Sequence, residues 1–245
     1  MTISKRLETI VNMLEPCRVL ADIGCDHGYV SIRAVQNKLA KQVIAADVAK
    51  GPLEAAKRNA AAEGTAGKTS FILSDGLKAI PDEAGVETIV IAGMGGILIR
   101  DILKAGELNR FPELKQLILG PQSDLDLVRR YLIDETPLYI NSEKCIYDDG
   151  KYYFLMDVRK KCSGSKRQKI TADTYSAAEY AFGKYIAPET AKTYKEFLEF
   201  RLRIAEGARA AASKGSGERT QAKLRELEGE IALINKALGA AKLHT

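Results

Sequence analysis

The stretch DIGCDHGYVSI, residues 22–32, decides the fold of this chain. It follows an apolar run and precedes a helical pattern, so it predicts a strand, a tight glycine turn and a helix. A dinucleotide-binding turn reads G-x-G-x-x-G and holds a pyrophosphate at the start of its helix. Here Asp26 stands between Gly24 and Gly28, where a phosphate would have to approach. Because a carboxylate repels a phosphate, the turn suits a cationic ligand better.

Short β-branched runs alternate with helical patterns up to about residue 159, which is typical of a parallel sheet with helices on its faces. The predicted strands are residues 19–23, 42–47, 69–73, 87–92 and 115–119, and the predicted helices are residues 30–37, 52–62, 97–104 and 125–133. Pro52 suits the first turn of its helix. Two further strands, 139–147 and 152–159, flank an Asp-Gly turn and predict a hairpin that reverses one strand of the sheet.

The C-terminal third follows a different pattern. Residues 160–169 are polar and lack periodicity, which predicts a linker, and a short helix is expected over 174–185. Apolar residues then recur at helical spacing on both sides of a Gly-Ser turn, at 197, 200, 204, 208 and 211 and at 224, 227, 231, 234 and 238. This pattern predicts a coiled-coil-like helical hairpin, with domains at 1–160 and 170–245. The two seams would pair within one chain or with a second copy, so a monomer and a homodimer both fit.

Composition limits the class of protein. The chain of 245 residues is long enough for one domain and an appendage. It has neither a membrane-spanning apolar run nor the apolar core of a signal peptide, so we expect a cytoplasmic protein without membrane contact. Its four cysteines lack C-x-x-C spacing, and we expect no metal and no redox pair.

Charge is distributed unevenly along the chain. From residue 160 onward 17 Lys and Arg residues stand against 10 Asp and Glu, whereas the preceding residues hold 20 and 22. A basic appendage on a slightly acidic body is a candidate contact for a polyanion such as nucleic acid. The same charge fits a solvated helical surface equally well.

Polar or glycine-rich turns follow four of the predicted strands. In open α/β sheets the ligand lies beyond the carboxyl ends of the strands, so these turns would converge on one site. They contain Asp22 and Gly24, Asp47, Asp75 and Gly76, and Gly93-Met94-Gly95-Gly96. A carboxylate at Asp47 is placed to accept hydrogen bonds from the hydroxyls of a ribose. With an acidic first turn, this order of elements indicates S-adenosylmethionine, whose sulfonium and ammonium groups are cationic, and a class I methyltransferase.

Several of these residues have an alternative interpretation. Asp22 would equally well cap the first turn by accepting hydrogen bonds from backbone amides. His27 has no partner histidine outside the tail, so a hydrogen bond within the turn or a place at the substrate entrance is favoured over metal binding. Cys25 lacks the partners that a nucleophilic thiol needs. The turn at Gly93 fits either a tight connection or close approach of a ligand.

The segments ADIGCDHGYV, ADVAKGPLEAAKRNA, SDGL, TIVIAGMGGILIRDIL and YDDGKYYFLM together resemble the bacterial tRNA adenine-N1 methyltransferases of the TrmK type, which modify adenine 22 of tRNA. The resemblance covers the catalytic domain and extends to the helical hairpin. It implies an α/β, Rossmann-like class I methyltransferase domain with a mostly parallel sheet and an antiparallel terminal hairpin, followed by a coiled-coil-like appendage. The chain has Cys25-Asp26-His27-Gly28 where the family usually reads S-D-H-A, Asp47 where it usually has glutamate, and Gly120-Pro121-Gln122 where it usually reads Q-P-N.

The resemblance implies the cofactor-binding residues, and the expected reaction on tRNA suggests the catalytic and substrate-binding ones. Cofactor binding falls on Asp22, Gly24, Asp26, His27, Asp47, Asp75, Gly76, Gly93, Met94 and Gly95. Asp26, Met94 and Gln122 are the expected catalytic residues, through charge stabilisation, stacking on the base and a side-chain amide. Substrate binding is expected of Tyr29 near the pocket and of Arg201, Arg203 and Arg209 on the appendage.

Other functions stay open at this point. A class I methyltransferase acting on another RNA or on a small molecule would use the same cofactor site. A nicotinamide-dependent oxidoreductase shares the fold class, but Asp26 in the glycine turn and the terminal hairpin argue against it. A non-catalytic RNA-binding or assembly protein with the same fold is also compatible with the sequence.

Overall fold

The computed structural model describes residues 2–160 and 174–241, which form one seven-stranded sheet and eight α-helices. The strands are β1 (Cys17–Ile23), β2 (Ala40–Asp47), β3 (Thr69–Leu73), β4 (Thr88–Met94), β5 (Gln116–Pro121), β6 (Leu138–Asp148) and β7 (Lys151–Lys160). The helices are α1 (Lys5–Met13), α2 (Tyr29–Gln36), α3 (Lys50–Ala62), α4 (Gly96–Ala105), α5 (Leu125–Asp134), α6 (Ala177–Phe182), α7 (Ala191–Ala212) and α8 (Glu218–Ala241). Beyond Lys160, the predicted linker lies outside the described residues.

The strand order is β3-β2-β1-β4-β5-β7-β6, and β7 alone runs against the others. This topology confirms the predicted Rossmann-like sheet with its antiparallel hairpin. The order reverses between β1 and β4, so the crevice at their carboxyl ends is the expected ligand site. The predicted strands and the helices between them differ from the observed ones by at most two residues at either end, and Pro52 lies in the first turn of α3.

Two apolar clusters hold the helices on opposite faces of the sheet. Ile91 and Leu117 pack with residues of α4 and α5, whereas Leu20 and Ile118 pack with α1 and α2. Helix α1 was not predicted, although Leu7, Ile10 and Val11, followed by the C-cap Leu14, show helical spacing after the N-cap Ser4. It covers one face of the sheet and brings its first turn to the end of the β6–β7 hairpin.

Helices α7 and α8 pair as an antiparallel hairpin and pack on β6 and β7 through Cys145 and Phe154. The predicted seam of α8 is right, because Leu227, Ile231 and Ile234 are buried. The predicted seam of α7 is largely wrong. Of its members, Phe200, Ile204, Ala208 and Ala211 are exposed, and the buried residues of α7 are Tyr194, Phe197, Leu198 and Ala205. The reason is that α7 packs on α8 and on the strands at once, which turns the buried stripe toward both.

A buried ion pair connects α5 and the segment around α6 to the sheet. The guanidinium of Arg129, on α5, donates from Nε and Nη2 to Glu143 Oε2 on β6 at 2.9 and 2.8 Å, and both side chains are wholly buried. Arg129 Nη1 also donates to the carbonyls of Tyr180 and Ala181, and Glu143 Oε1 accepts from the backbone N–H of Lys184. These bonds fix the segment around α6 against the sheet.

No helix in the described ranges is long and apolar enough to cross a lipid bilayer.

Candidate active site

A cavity of about 570 Å³ opens at the carboxyl ends of β1, β2, β3 and β4, and its size is typical of small-molecule sites. Its wall includes nine of the ten predicted cofactor residues: Asp22, Gly24, Asp26, His27, Asp47, Asp75, Gly76, Gly93 and Met94. Tyr29 and Gln122 line it as well. Gly95 does not, because it faces Ser123 in the β5–α5 loop.

The turn after β1 is held open by three residues with left-handed backbone. Gly24, Asp26 and Gly28 have φ of 71°, 47° and 74°, and aspartate is among the few non-glycine residues that tolerate this region. The backbone N–H groups of Gly24 and Cys25 both donate to the carbonyl of Ala46 on β2. The turn therefore wraps over the end of β2 and leaves the Asp26 side chain 70% exposed at the cavity mouth.

Asp47 joins the first two turns. Its Oδ2 accepts the N–H of Asp26 at 3.2 Å and its Oδ1 accepts the N–H of Ala49 at 2.9 Å. Each carboxylate oxygen can accept a second hydrogen bond, so Asp47 keeps capacity for two hydroxyl donors of a ligand. The residue is buried except where it borders the cavity.

Asp22 lies beneath the turn with little exposure. Its Oδ2 accepts hydrogen bonds from the hydroxyl and the backbone N–H of Ser31, at 2.6 and 3.2 Å. Burial raises the pKa of its carboxyl to about 6, against the lowering effect of these hydrogen bonds, and Asp47 raises it further. Asp22 thus ties β1 to α2 and also places a carboxyl group on the cavity wall.

Strand β4 ends in a β-bulge at Gly93, whose φ is 83°. The Met94 side chain covers Gly24, so closely that a Cβ there would overlap its Cε. A Cβ on Gly93 would lie 3.3 Å from Arg6 Nη1 and 4.0 Å from Gln122 Nε2. Arg6 and Gln122 therefore flank the same exposed backbone, at the side of the cavity away from Asp47.

Arg6 is a functional candidate that the sequence analysis missed. It extends from the first turn of α1 to the cavity, and its guanidinium lies 5.4 Å from the ring centroid of Tyr153. The helical spacing of α1 would have predicted the helix, but it does not show where the first turn of that helix lies in the fold.

The remaining wall combines polar and apolar groups. Asp75 is exposed and pairs with Lys78 Nζ at 2.5 Å, while the Ser74 hydroxyl closes the turn by donating to the carbonyl of Gly76. Val48 and Leu98, also not predicted, are 69% and 50% exposed on the wall and offer apolar contact to a flat ring. Such a wall can hold a nucleoside by its sugar hydroxyls and its base.

The histidine and cysteine of the first turn have modest roles. The rings of His27 and Tyr29 stack at 5.6 Å, and His27 Nε2 lies 3.7 Å from Asp26 Oδ1. Burial raises the pKa of the Cys25 thiol far above its ordinary value, which disfavours the thiolate that a nucleophilic role requires. Among the residues that the structure describes, no group of three or more His, Cys, Asp or Glu side chains is arranged to hold a metal ion.

Gly120 and Gln122, near the end of β5, differ in their access to the cavity. Gly120 is enclosed in the sheet, where a Cβ would lie 2.9 Å from Ala92 Cβ and 3.1 Å from Leu155 Cδ2. It does not line the cavity, whereas Gln122 does. Gln122 therefore can present its side-chain amide to the cavity, whereas Gly120 cannot contribute.

The three predicted appendage arginines lie on α7, outside the cavity wall. Arg201 forms an ion pair with Glu230 of α8, so part of its binding capacity serves the helical hairpin. Arg203 and Arg209 are exposed.

Comparison with known proteins agrees with this geometry. The family model described as "Methyltransferase domain" matches residues 3–156. The tRNA (adenine(22)-N(1))-methyltransferase of Bacillus subtilis is 31% identical over 240 residues, covering 96% of this chain and 97% of that protein. Among solved structures, the Bacillus subtilis m1A22 tRNA methyltransferase TrmK has 28% identity and a TM-score of 0.79, over 97% of this chain and 99% of that one. Streptococcus pneumoniae Sp1610 in complex with S-adenosyl-L-methionine has 29% identity and a TM-score of 0.81, over 97% and 100%.

Proposed function

The chain belongs to the family of bacterial tRNA (adenine(22)-N(1))-methyltransferases, and we propose that it methylates N1 of adenine 22 in tRNA with S-adenosylmethionine as methyl donor. The observation that carries the proposal is the acidic, glycine-rich cavity at the strand-order switch, within a chain that matches the Bacillus subtilis enzyme over nearly its full length. Residues 1–160 would form the catalytic domain and 170–245 the appendage.

The residues of the cavity fit this cofactor. Asp47 would accept the ribose hydroxyls, and Asp22 and Asp26 would face the positively charged methionine part. Asp75 would lie at the edge of the adenine, with Val48 and Leu98 against its faces. The exposed Asp26 carboxylate is unfavourable for the pyrophosphate of a nicotinamide cofactor, which argues against an oxidoreductase.

The chain's own part in the reaction is positioning. When bound, S-adenosylmethionine supplies an electrophilic methyl group on a sulfonium. Adenine N1 presents an in-plane lone pair, so no general base is required. Holding two reactants in the productive geometry can lower a barrier by roughly 7–11 kcal/mol.

The acceptor base would enter on the side of Gly93, where Gln122 offers an amide and Met94 and Tyr29 offer stacking surfaces. Because the target base is stacked in folded tRNA, it must be extruded before it reaches the cavity. Arg6, beside Gly93, would bind the phosphate of the extruded nucleotide. Arg203 and Arg209 would contact the tRNA backbone farther away, with an affinity that falls as salt rises.

Helices α7 and α8 pack on each other within one chain, which supports a monomeric enzyme. A tRNA substrate would place the chain in the cytoplasm. Sedimentation velocity at micromolar concentration would give a single monomeric species, and a dimer would contradict that part of the proposal.

The function is tested by incubating the protein with methyl-labelled S-adenosylmethionine and unfractionated bacterial tRNA, followed by nucleoside mass spectrometry. We expect labelled 1-methyladenosine, its loss in Asp47→Ala, and its retention in Asp126→Ala, a matched change of an exposed aspartate on α5. Label in a different nucleoside, or binding of the cofactor without transfer to tRNA, would contradict the proposal.

A further inference from the structure

Three aromatic side chains form a continuous surface between the β6–β7 turn and helix α7. They are Tyr147, Tyr152 and Phe200, here called the aromatic strip. The ring centroids of Tyr147 and Tyr152 are 4.8 Å apart, and those of Tyr152 and Phe200 are 5.7 Å apart. Tyr152 is half-buried against Phe197, whereas Tyr147 and Phe200 are 47% and 40% exposed. Ile204, one turn farther along α7 and 51% exposed, extends the apolar surface. Single exposed apolar side chains are ordinary, but a contiguous set marks an interaction surface.

The strip is connected to the cavity through the first turn of α1. Lys5 Nζ donates to the backbone carbonyl of Tyr147 at 3.2 Å, and the backbone N–H of Arg6 donates to Asp148 Oδ2 at 2.8 Å. The guanidinium of Arg6 lines the cavity. One residue of α1 therefore contacts the strip while the next reaches the acceptor side of the active site.

Positive charge lies beside the rings. Lys5 is exposed at the Tyr147 end, and Arg203 is exposed on α7 three residues after Phe200. Burial raises the pKa of the Tyr152 phenol, and the positive charge of Arg203 opposes part of this increase. Glu196 also acts on this phenol, so the local charge is mixed and the rings are the main binding feature.

We propose that the aromatic strip stacks on unpaired bases of the tRNA whose target adenine enters the cavity, while Lys5 and Arg203 contact adjacent phosphates. This inference rests on the proposed function. Proteins recognise unstacked RNA bases by placing them on aromatic side chains, with cations on the backbone. An apolar patch alone would also suit a protein partner, but continuity with the acceptor side and the flanking cations favour RNA.

Tryptophan fluorescence reports directly on stacking, because the chain contains no tryptophan. Phe200→Trp would place a single indole on the strip, and we expect its emission to be quenched as tRNA is added. The matched control is Tyr139→Trp, which places the indole at the other end of β6 and is expected to show no quenching. Unchanged emission of Phe200→Trp under saturating tRNA would overturn the proposal.

Two substitutions of Phe200 distinguish the contribution of the aromatic ring to tRNA binding from that of an apolar side chain. Phe200→Leu removes the ring, and we expect the Kd for tRNA, measured by fluorescence anisotropy at fixed salt, to rise about tenfold. Phe200→Tyr keeps the ring and should stay within about twofold of the wild type. The Kd for S-adenosylmethionine and the melting temperature should be unchanged in both, since Phe200 is outside the cavity and partly exposed.

The outcomes distinguish this inference from the function on which it rests. If the wild type methylates tRNA and Phe200→Leu binds tRNA equally well, the strip does not bind RNA and the function stands. If Phe200→Leu instead dissociates a dimer seen by sedimentation, the strip is an interface between copies and the proposal is wrong. A wild type that neither binds nor methylates tRNA would overturn both.

Discussion

The loops around Asp47 and the surface beside Phe200 are the two proposed binding regions, and they are built in different ways. The first combines the buried carboxylates of Asp22 and Asp47 with tight turns, in which Asp47 bonds the backbone of two loops and the exposed Asp26 adopts a left-handed conformation. The second is an open surface of rings and flexible cations on α7, α1 and a hairpin turn. A small cofactor needs a preformed pocket, whereas a large RNA is held by many weak contacts.

The buried ion pair that holds the segment around α6 against the sheet is the part of the molecule most sensitive to substitution. Glu143→Ala would leave the buried guanidinium of Arg129 without its carboxylate, and we expect the free energy of unfolding to fall by roughly 3–5 kcal/mol. Urea denaturation measures this change. The control is Glu189→Ala, which breaks the exposed ion pair with Lys144 and should have little effect. Equal losses in both variants would show that burial of the Arg129 pair does not matter.

Asp47 tests the cofactor region alone. Asp47→Ala removes a carboxylate that can accept two ligand hydroxyls, and hydrogen bonds to charged groups are worth roughly 1.5–3 kcal/mol each. We therefore expect the Kd for S-adenosylmethionine, measured by calorimetry, to rise about 100-fold or more. The Kd for tRNA should change little. If tRNA binding were lost to the same extent, the two regions would not be separable.

Arg6 gives the converse test, in which activity on tRNA should fall while cofactor affinity is kept. Arg6→Ala removes the cation beside Gly93, and we expect kcat/KM for tRNA to fall about tenfold, since a charge-assisted hydrogen bond is worth roughly 1.5–3 kcal/mol. The Kd for S-adenosylmethionine should stay within about twofold. Arg6→Lys keeps the charge and should recover part of the activity. A weaker cofactor affinity in Arg6→Ala would place this residue in the cofactor region instead.

The smallest expected effect is a pH dependence from Asp22. Because its folded-state pKa of about 6 exceeds that of an unfolded aspartate, near 3.9, folding stability falls as pH rises through about 4 to 6. The carboxylate that attracts a cationic ligand is populated above pH 6. Cofactor affinity should therefore rise a few-fold between about pH 5 and 7.

Two variants identify the side chain that causes this pH dependence. Asp22→Asn should flatten it, whereas His27→Gln should leave it in place, although histidine side chains titrate in the same range. A slope that survives in Asp22→Asn and disappears in His27→Gln would assign the effect to the imidazole.

The same contrast explains what the sequence could predict. The turns after β1, β2, β3 and β4 follow from strand ends and glycine spacing, because parallel strands bring their carboxyl ends to one edge. Their residues were therefore identified together, with Gly95 as the exception because it faces Ser123. Asp22 accepts a hydrogen bond from Ser31 and also lines the cavity, so it combines two roles that the sequence presented as alternatives.

The second region depends on tertiary packing, which local sequence patterns do not predict. The position of Arg6 requires the docking of α1 against the β6–β7 hairpin. The exposure of Phe200 and Ile204 requires that α7 pack on α8 and on two strands at once, while helical spacing alone placed both in the seam. Aromatic stacking between a hairpin turn and a helix more than 40 residues away is likewise invisible in the sequence.

The most direct test of the central claim is methyl transfer to two transcripts of one tRNA, one with adenine and one with guanine at position 22. Primer extension detects the product, because a methyl group on N1 blocks base pairing. We expect a stop at position 22 in the adenine transcript and no methyl incorporation in the guanine transcript. Equal incorporation into both transcripts would contradict this expectation.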